Sequence, residues 1–198
     1  NTKYEILNIK SRKEAQNTFK ALARILKLKH IPHRIEGHDI SNIQGAHATG
    51  SMVVFEDGVP NKSQYRKFKI RRKRTPDDTL MLSELLQRRL NHPEWQFPNL
   101  ILIDGGKGQL NAARSVISNF KFQISKQIQN SNFQIPIIAL TKDIRHKGSH
   151  IFTAKEKLPI KLSSLPISVK NLILHIDGEA HRFAIGYYRK LHRSQFKK

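Results

Sequence analysis

Leu100-Ile101-Leu102-Ile103-Asp104-Gly105-Gly106 is the stretch that decides the fold of this chain. Its four consecutive apolar residues predict a strand buried on both faces, as in the parallel part of an α/β sheet. Asp104 follows directly, and a carboxylate in such a place is costly unless it is paired, hydrogen-bonded or bound to a metal. Because the two glycines lead into a helix, Asp104 could instead cap that helix. Both interpretations of Asp104 stay open at this point.

The residues on either side predict a mixed sheet with helices packed on its faces, because hairpin-rich strands are followed by strand–helix alternation. Strands are expected at 34–41, 51–55, 65–70 and 135–140, and shorter extended pieces at 150–154 and 157–162. Helices are expected at 11–29, after Thr75, after Gly106 and at 166–192, where apolar residues recur every three or four positions. A capping box at Ser11 and Glu14 and an N-cap at Thr75 fit the first two helix starts. The polar residues 121–134 are interpreted as an insertion.

The charge of the chain indicates a polyanionic partner. Lys and Arg number 36 against 15 Asp and Glu, a formal net charge of +21 over 198 residues. Nucleic acid is favoured, ahead of an anionic membrane or a lysine-rich surface that serves only solubility.

With no cysteine, disulfides and thiolate metal sites are excluded, and no apolar run is long enough to cross a membrane. The chain has no signal-peptide pattern and starts with Asn, so we expect a fragment of a longer protein.

The run Arg71-Arg72-Lys73-Arg74 has two interpretations, a solvated loop or a set of phosphate contacts, and we favour the second. The residues after Ile103 lack the spacing of a phosphate-binding P-loop, so an NTPase is not expected. We expect DNA contacts at six basic side chains: Arg71, Arg72, Arg74, Lys107, Arg182 and Arg189.

Acidic residues at strand positions indicate a metal site. Asp39, like Asp104, interrupts an apolar strand pattern in a chain with few acids. Carboxylates at neighbouring strand ends can hold Mg²⁺ or Mn²⁺, and two such ions can clamp both oxygens of a phosphodiester displacement. Asp77 and Asp78 on their own favour a structural role in the first turn of a helix. His181 is one of ten histidines and lies beside the apolar stripe of a helix. Its position alone favours the interpretation that it is an ordinary packed or surface residue.

Four motifs together resemble a known family. They are DISNIQG (39–45), GSMVVFEDG (50–58), ILIDGGKGQLNA (101–112) and EAHRFAI (179–185). In their order and spacing they resemble the C-terminal endonuclease half of the bacterial excision-repair protein UvrC. Asp77-Asp78 and the Leu-rich helix with Arg88-Arg89 are also similar to that family. The resemblance covers about residues 30–193 and is very specific.

The resemblance implies an RNase H-like fold and a role in nucleotide excision repair. The implied activity is Mg²⁺- or Mn²⁺-dependent incision of damaged double-stranded DNA on the 5′ side of the lesion. It implies a catalytic and metal-binding site formed by Asp39, Asp78, Asp104 and His181. This function replaces the purely structural role considered above for Asp78 and the interpretation of His181 as an ordinary packed or surface residue. It also implies action in the bacterial cytoplasm beside UvrB, which UvrA loads onto DNA, and no membrane partner.

The chain departs from the family pattern in places. Asp177 and Gly178 stand where the family usually has Arg and Asp, and Ser163-Ser164-Leu165-Pro166 lacks an acid that the family often has. The GIY-YIG and helix-hairpin-helix patterns of the full-length family are not found.

We expect an amphipathic helix or linker at 1–30 and the endonuclease domain at 31–198. The alternative is a catalytically silent DNA- or protein-binding module, but retention of all four candidate residues favours the enzyme.

Overall fold

The computed structural model describes the backbone of residues 2–41, 48–70, 77–127, 134–143, 148–156 and 158–195. Side chains are described over the same ranges except 2–12, 124–127 and 187–195. The strands are β1 (Arg34–Ser41), β2 (Thr49–Glu56), β3 (Val59–Pro60), β4 (Arg66–Lys69), β5 (Leu100–Asp104), β6 (Ile137–Lys142), β7 (Gly148–Thr153) and β8 (Ile160–Lys161). The helices are α1 (Thr2–Ile25), α2 (Asp78–Leu90), α3 (Lys107–Gln127) and α4 (Ile167–Gln195). The expected mixed α/β fold with a long C-terminal helix is confirmed.

A single mixed sheet organises the described part of the chain. Its strand order is β3-β2-β1-β5-β6-β7-β8, and β4 pairs with β2 beside β3. The central strands β1, β5 and β6 are parallel, whereas β2 and β7 pair with them antiparallel on either side. The carboxyl ends of the three parallel strands therefore meet at one edge of the sheet, which is where an open α/β sheet usually carries its site.

The two faces of the sheet are covered by different helices. Ile101 and Ile103 of β5 face a core formed with α2 and α3, which includes Leu85, Leu86 and Ala113. The alternate residues of β5, Leu100 and Leu102, face a second core formed with α1 and α4. This alternation follows from the two-residue repeat of a strand, and it explains why Leu100 to Ile103 are all apolar.

Helix α1 begins earlier than its sequence pattern predicts. It starts at Thr2, so the capping box at Ser11 and Glu14 is wrong. No Gly or Pro interrupts residues 2–25, and nothing local stops the helix from continuing towards its amino end. The expected apolar stripe is confirmed, because Phe19, Leu22, Ala23 and Leu26 are all buried.

Helix α2 begins later than predicted, and its N-cap is Asp77. The Asp77 carboxylate accepts hydrogen bonds from the backbone N–H groups of Thr79, at 2.9 Å, and Leu80, at 3.2 Å. The prediction of Thr75 as the N-cap is therefore wrong, and Thr75 itself lies outside the described residues. Asp and Thr both favour this position, so propensity alone could not choose between them. Asp78 becomes the first residue of the helix.

The first half of the stretch 121–134, which is interpreted as an insertion, is helical. Helix α3 continues to Gln127, so residues 121–127 extend an element of the fold. A polar composition is compatible with a helix whose far turns face solvent. The remainder of that stretch, 128–133, lies outside the described residues.

Candidate active site

Three of the predicted acidic residues line one pocket at the carboxyl edge of the parallel strands. The pocket has a volume of about 120 Å³ and is lined by Asp39, Ile40, Asp78, Leu82, Asp104, Gly105 and Gln109. Asp39 lies near the end of β1, Asp104 is the last residue of β5, and Asp78 opens α2. Because Asp77 supplies the cap of α2, the Asp78 carboxylate is not needed for it.

Asp39 is the most deeply buried of these acids. Its side chain is 6% exposed, and no described residue donates a hydrogen bond to its Oδ2 atom, although His181 Nδ1 lies 3.5 Å away. Burial raises the pKa of Asp39 above its ordinary value, and the negative charge of Asp104 raises it further, against the opposing effect of His181 and Lys142. A buried carboxylate oxygen without a partner is costly, so this atom is poised to take a cation or a proton.

His181 reaches the same site from α4. Its Nδ1 atom lies 3.5 Å from Asp39 Oδ2, at the outer limit for a hydrogen bond, and its side chain is 56% exposed. The helix is held close to the sheet in two ways. Ser51 Oγ donates a hydrogen bond to the Ala180 carbonyl, and a Cβ atom on Gly37 would lie 2.6 Å from Ile176 Cγ2. Glycine at position 37 is thus what allows α4 to pack on β1 at this distance.

Lys142, which the sequence analysis missed, enters the site at the end of β6. Its Nζ atom lies 2.6 Å from Asp104 Oδ2 and 3.4 Å from Asp177 Oδ2. Burial would lower the pKa of Lys142, but the hydrogen bond to Asp104 and the charges of Asp177 and Asp104 raise it above its ordinary value. Burial raises the pKa of Asp177, and Lys142 opposes that effect. The sequence signal was a lysine two residues after the apolar run Ile137 to Leu140, at the same edge of the sheet as Asp104.

A buried charge network lies behind the site, on the α2 face of β1. Glu36 pairs with Arg89 of α2, and His38 Nε2 lies 3.2 Å from Glu36 Oε2. Arg34 Nη1 donates to Glu56 at 2.6 Å from the start of the same strand. Burial would raise the pKa of Glu36, but the hydrogen bonds from His38 and Arg89 outweigh it and hold that pKa below its ordinary value. The alternation of polar residues along β1 was the available signal.

The predicted DNA contacts are described only in part. Lys107 is exposed at the start of α3, beside the pocket-lining Gly105. Arg182 is exposed next to His181, where its guanidinium binds Glu179 at 2.6 and 2.7 Å. Arg71, Arg72 and Arg74 lie outside the described residues, as does the side chain of Arg189.

The residues present fit a divalent cation by their chemistry, although they do not form a ready-made cage. Within the described ranges, no three acidic or histidine side chains are close enough together to hold a metal ion. The fit rests on Asp39 Oδ2, which accepts no hydrogen bond from the described residues, and on the carboxylates of Asp78 and Asp104 around the same pocket. Oxygen donors of this kind are the ligands that Mg²⁺ and Mn²⁺ prefer.

Over the same described ranges, no helix is long and apolar enough to span a membrane.

The sheet order and the acidic edge define an RNase H-like endonuclease domain. Residues 23–185 match the family described as the UvrC RNase H endonuclease domain, and the chain belongs to that family. It is 34% identical to the UvrABC system protein C of Clostridium acetobutylicum over 96% of this chain and 31% of that protein. It is 38% identical to the protein of the same description from Clostridium novyi, over 93% of this chain and 31% of that protein. The suspected family is confirmed, and the chain spans about a third of the length of these relatives.

A solved structure shares the fold. It is the Endonuclease V of Ciona intestinalis in complex with a 24-mer DNA that contains an inosine followed by a ribo-adenosine. The TM-score is 0.50, the identity is 10%, and the match covers 96% of this chain and all of that one. At this identity the likeness shows the fold alone.

Proposed function

We propose that this chain makes the 5′ incision in damaged double-stranded DNA during nucleotide excision repair, as a Mg²⁺- or Mn²⁺-dependent endonuclease. Residues 31–198 form the catalytic domain in this proposal, with α1 packed against it. The observation that carries it is the buried Asp39 carboxylate, which lines one pocket with Asp78 and Asp104 and whose Oδ2 atom accepts no hydrogen bond from the described residues. Family membership supports the nuclease activity, and the relatives' description as a UvrABC system protein supports action with UvrB after loading by UvrA, in the bacterial cytoplasm.

In this proposal, different side chains bind the metal, position the attacking water and contact the DNA backbone. Asp39, Asp78 and Asp104 would hold the metal, which supplies Lewis-acid stabilisation of the phosphodiester when bound. His181 is close to Asp39 yet more than half exposed, so its ring can orient the attacking water and take its proton. Exposed Lys107 and Arg182 flank this edge and can meet phosphates of the DNA backbone.

A silent DNA-binding module is the less favoured alternative. Lys142 already neutralises Asp104, whose side chain is 28% exposed, but the buried Asp39 carboxylate would repel a phosphate unless a metal ion neutralised it. A surface that only binds DNA has no use for these carboxylates at that place.

The incision assay uses a 5′-labelled duplex with one defined lesion, incubated with the chain, UvrA, UvrB and Mn²⁺. Cleavage is expected on the 5′ side of the lesion and is expected to stop when EDTA is added. Asp39→Asn and His181→Ala should each lower the rate by about 100-fold or more, the scale of one lost electrostatic or acid–base group. Both variants should retain DNA binding, and His181→Ala should keep its melting temperature because the ring is exposed.

Asp57→Asn is the matched control, since Asp57 is an exposed acid in the turn after β2. It should cut at the rate of the parent chain. Undiminished cutting by Asp39→Asn would remove this pocket from the proposal, and binding without cutting by the parent chain would favour the silent module.

A further inference from the structure

The Lys142 ammonium joins two carboxylates from different elements. Asp104 Oδ2 at the end of β5 lies 2.6 Å from Nζ, and Asp177 Oδ2 on α4 lies 3.4 Å from it. The exposed fractions of the side chains are 21% for Lys142 and 12% for Asp177, so this contact is largely shielded from solvent. A shielded ammonium needs such counter-charges to be stable in its charged form.

Asp104 is shared between this ammonium and the proposed metal pocket. The pocket is lined by Asp39, Asp78 and Asp104, whereas Lys142 and Asp177 are not among its lining residues. The site thus has two adjacent places for positive charge with one carboxylate common to both. One place has Asp39 Oδ2, which accepts no hydrogen bond from the described residues, and the other place is occupied by the Lys142 ammonium.

We propose that Lys142 is a built-in cation of this active site, anchored by Asp177, and that it fills the place a second divalent ion would otherwise take. The inference rests on the proposed function, because it assigns the number of metal ions to that same site. The chain then binds a single Mg²⁺ or Mn²⁺, and the ammonium supplies the second positive charge near the scissile phosphodiester. No bond forms or breaks at the lysine, whose part is electrostatic.

Asp177 contributes the second carboxylate of this arrangement. It lies on α4, whereas Asp104 lies at the end of β5, so the ammonium is in contact with two separate elements of the fold. Without the ammonium, Asp104 and Asp177 would face each other as two uncompensated carboxylates, which is the kind of donor set that takes a divalent ion.

The experiment counts Mn²⁺ ions bound per chain, by electron paramagnetic resonance of free Mn²⁺ during a titration of the purified chain without DNA. The parent chain is expected to bind one ion. Lys142→Met is expected to bind two, because the second place loses its ammonium and keeps both carboxylates. The double variant Lys142→Met with Asp177→Asn should return to one ion. Lys161→Met, which removes an exposed lysine on β8, is the matched control and should bind one.

Thermal melting by circular dichroism checks that each variant is folded, and Lys142→Gln replaces Lys142→Met if the latter does not fold. Two ions in the parent chain, or an unchanged count in both Lys142 variants, would overturn the inference. Two ions in the double variant would remove Asp177 from it. Failure of every variant to bind Mn²⁺ would contradict both this inference and a metal-dependent function. The expected counts without any DNA cleavage would instead contradict the proposed function alone.

Discussion

Arg89 donates hydrogen bonds to both carboxylate oxygens of Glu36 inside the protein, with Nη2 2.8 Å from Oε1 and Nε 3.0 Å from Oε2, and neither side chain is exposed. The pair joins the last turn of α2 to the middle of β1. The same two elements carry Asp78 and Asp39, at the other end of the helix and nearer the end of the strand. A charged contact remote from the pocket thereby fixes the position of one acid relative to another.

Removing Arg89 should be strongly destabilising. Arg89→Met leaves Glu36 charged and buried, and breaking a buried pair in this way costs about 3–5 kcal/mol. The contacts of Glu36 with Arg34 and His38 place the expected loss near the lower end of that range. Urea unfolding measures it, and Arg88→Met on the same helix, at a residue 34% exposed, should cost about 1 kcal/mol or less. Equal losses in the two variants would contradict the importance of the buried pair.

Neutralising Asp39 should stabilise the metal-free protein at neutral pH. A group whose folded pKa is raised binds its proton more tightly when folded, so stability falls as pH rises from the ordinary value to the raised one. Above both values, Asp39→Asn should raise the melting temperature in EDTA, by roughly 2–4 °C for each kcal/mol recovered. The gain should shrink as pH is lowered towards the ordinary Asp pKa of 3.8. Asp57→Asn serves as the exposed control, and a lower melting temperature for Asp39→Asn at neutral pH would count against this explanation.

A side chain at position 37 should separate α4 from β1. The Cβ atom of Gly37→Ala would clash with Ile176 Cγ2, and overpacking of this kind costs about 1–3 kcal/mol. Because His181 is on the same helix, the cutting rate should fall as well. Gly186→Ala, on α4 with open space around it, should instead gain up to about 1 kcal/mol and cut normally. The melting temperature and the incision rate are measured on both variants. A Gly37→Ala variant with an unchanged melting temperature and incision rate would show that α4 can move away from β1 without loss of stability or activity.

DNA affinity should fall steeply with salt. Each neutralised phosphate contributes about −0.9 to the slope of log affinity against log salt concentration. Replacing Arg71, Arg72 and Arg74 together by Gln should flatten that slope by up to about 3. The matched control replaces the exposed Lys13, Lys20 and Arg24 of α1, which packs near the opposite end of β1, and should keep the slope. Fluorescence anisotropy over a salt series measures both slopes, and a salt-independent affinity would point to a protein partner for this basic segment.

Local patterns in the sequence predicted the parts of the site that lie on strands. Asp39 and Asp104 share one edge because β1 and β5 are parallel, and strand–helix alternation predicts that arrangement. His181 was placed at the site by the family motif alone, since its helix pattern could not show which residue of the sheet it approaches.

The contacts that escaped prediction join residues far apart in the chain. Glu36 and Arg89 are 53 positions apart, and Asp104 and Lys142 are 38 apart. A charged residue in a sequence carries no sign of the partner that makes its burial tolerable, so the network behind β1 and the lysine at the site became visible only in three dimensions. The start of α2 was missed for a different reason, because Thr75 and Asp77 are both suitable N-caps.

The central claim is that Asp39, Asp78 and Asp104 hold the metal of a nuclease. It is tested most directly by crystals of the chain grown with Mn²⁺ and measured at a wavelength where manganese scatters anomalously. One strong anomalous peak is expected in the pocket between Asp39 and Asp104, within coordination distance of Asp39 Oδ2. The same map from Asp39→Asn crystals should lack this peak. A map without a peak at this pocket, or a peak that persists unchanged in Asp39→Asn, would show that these carboxylates do not hold the metal.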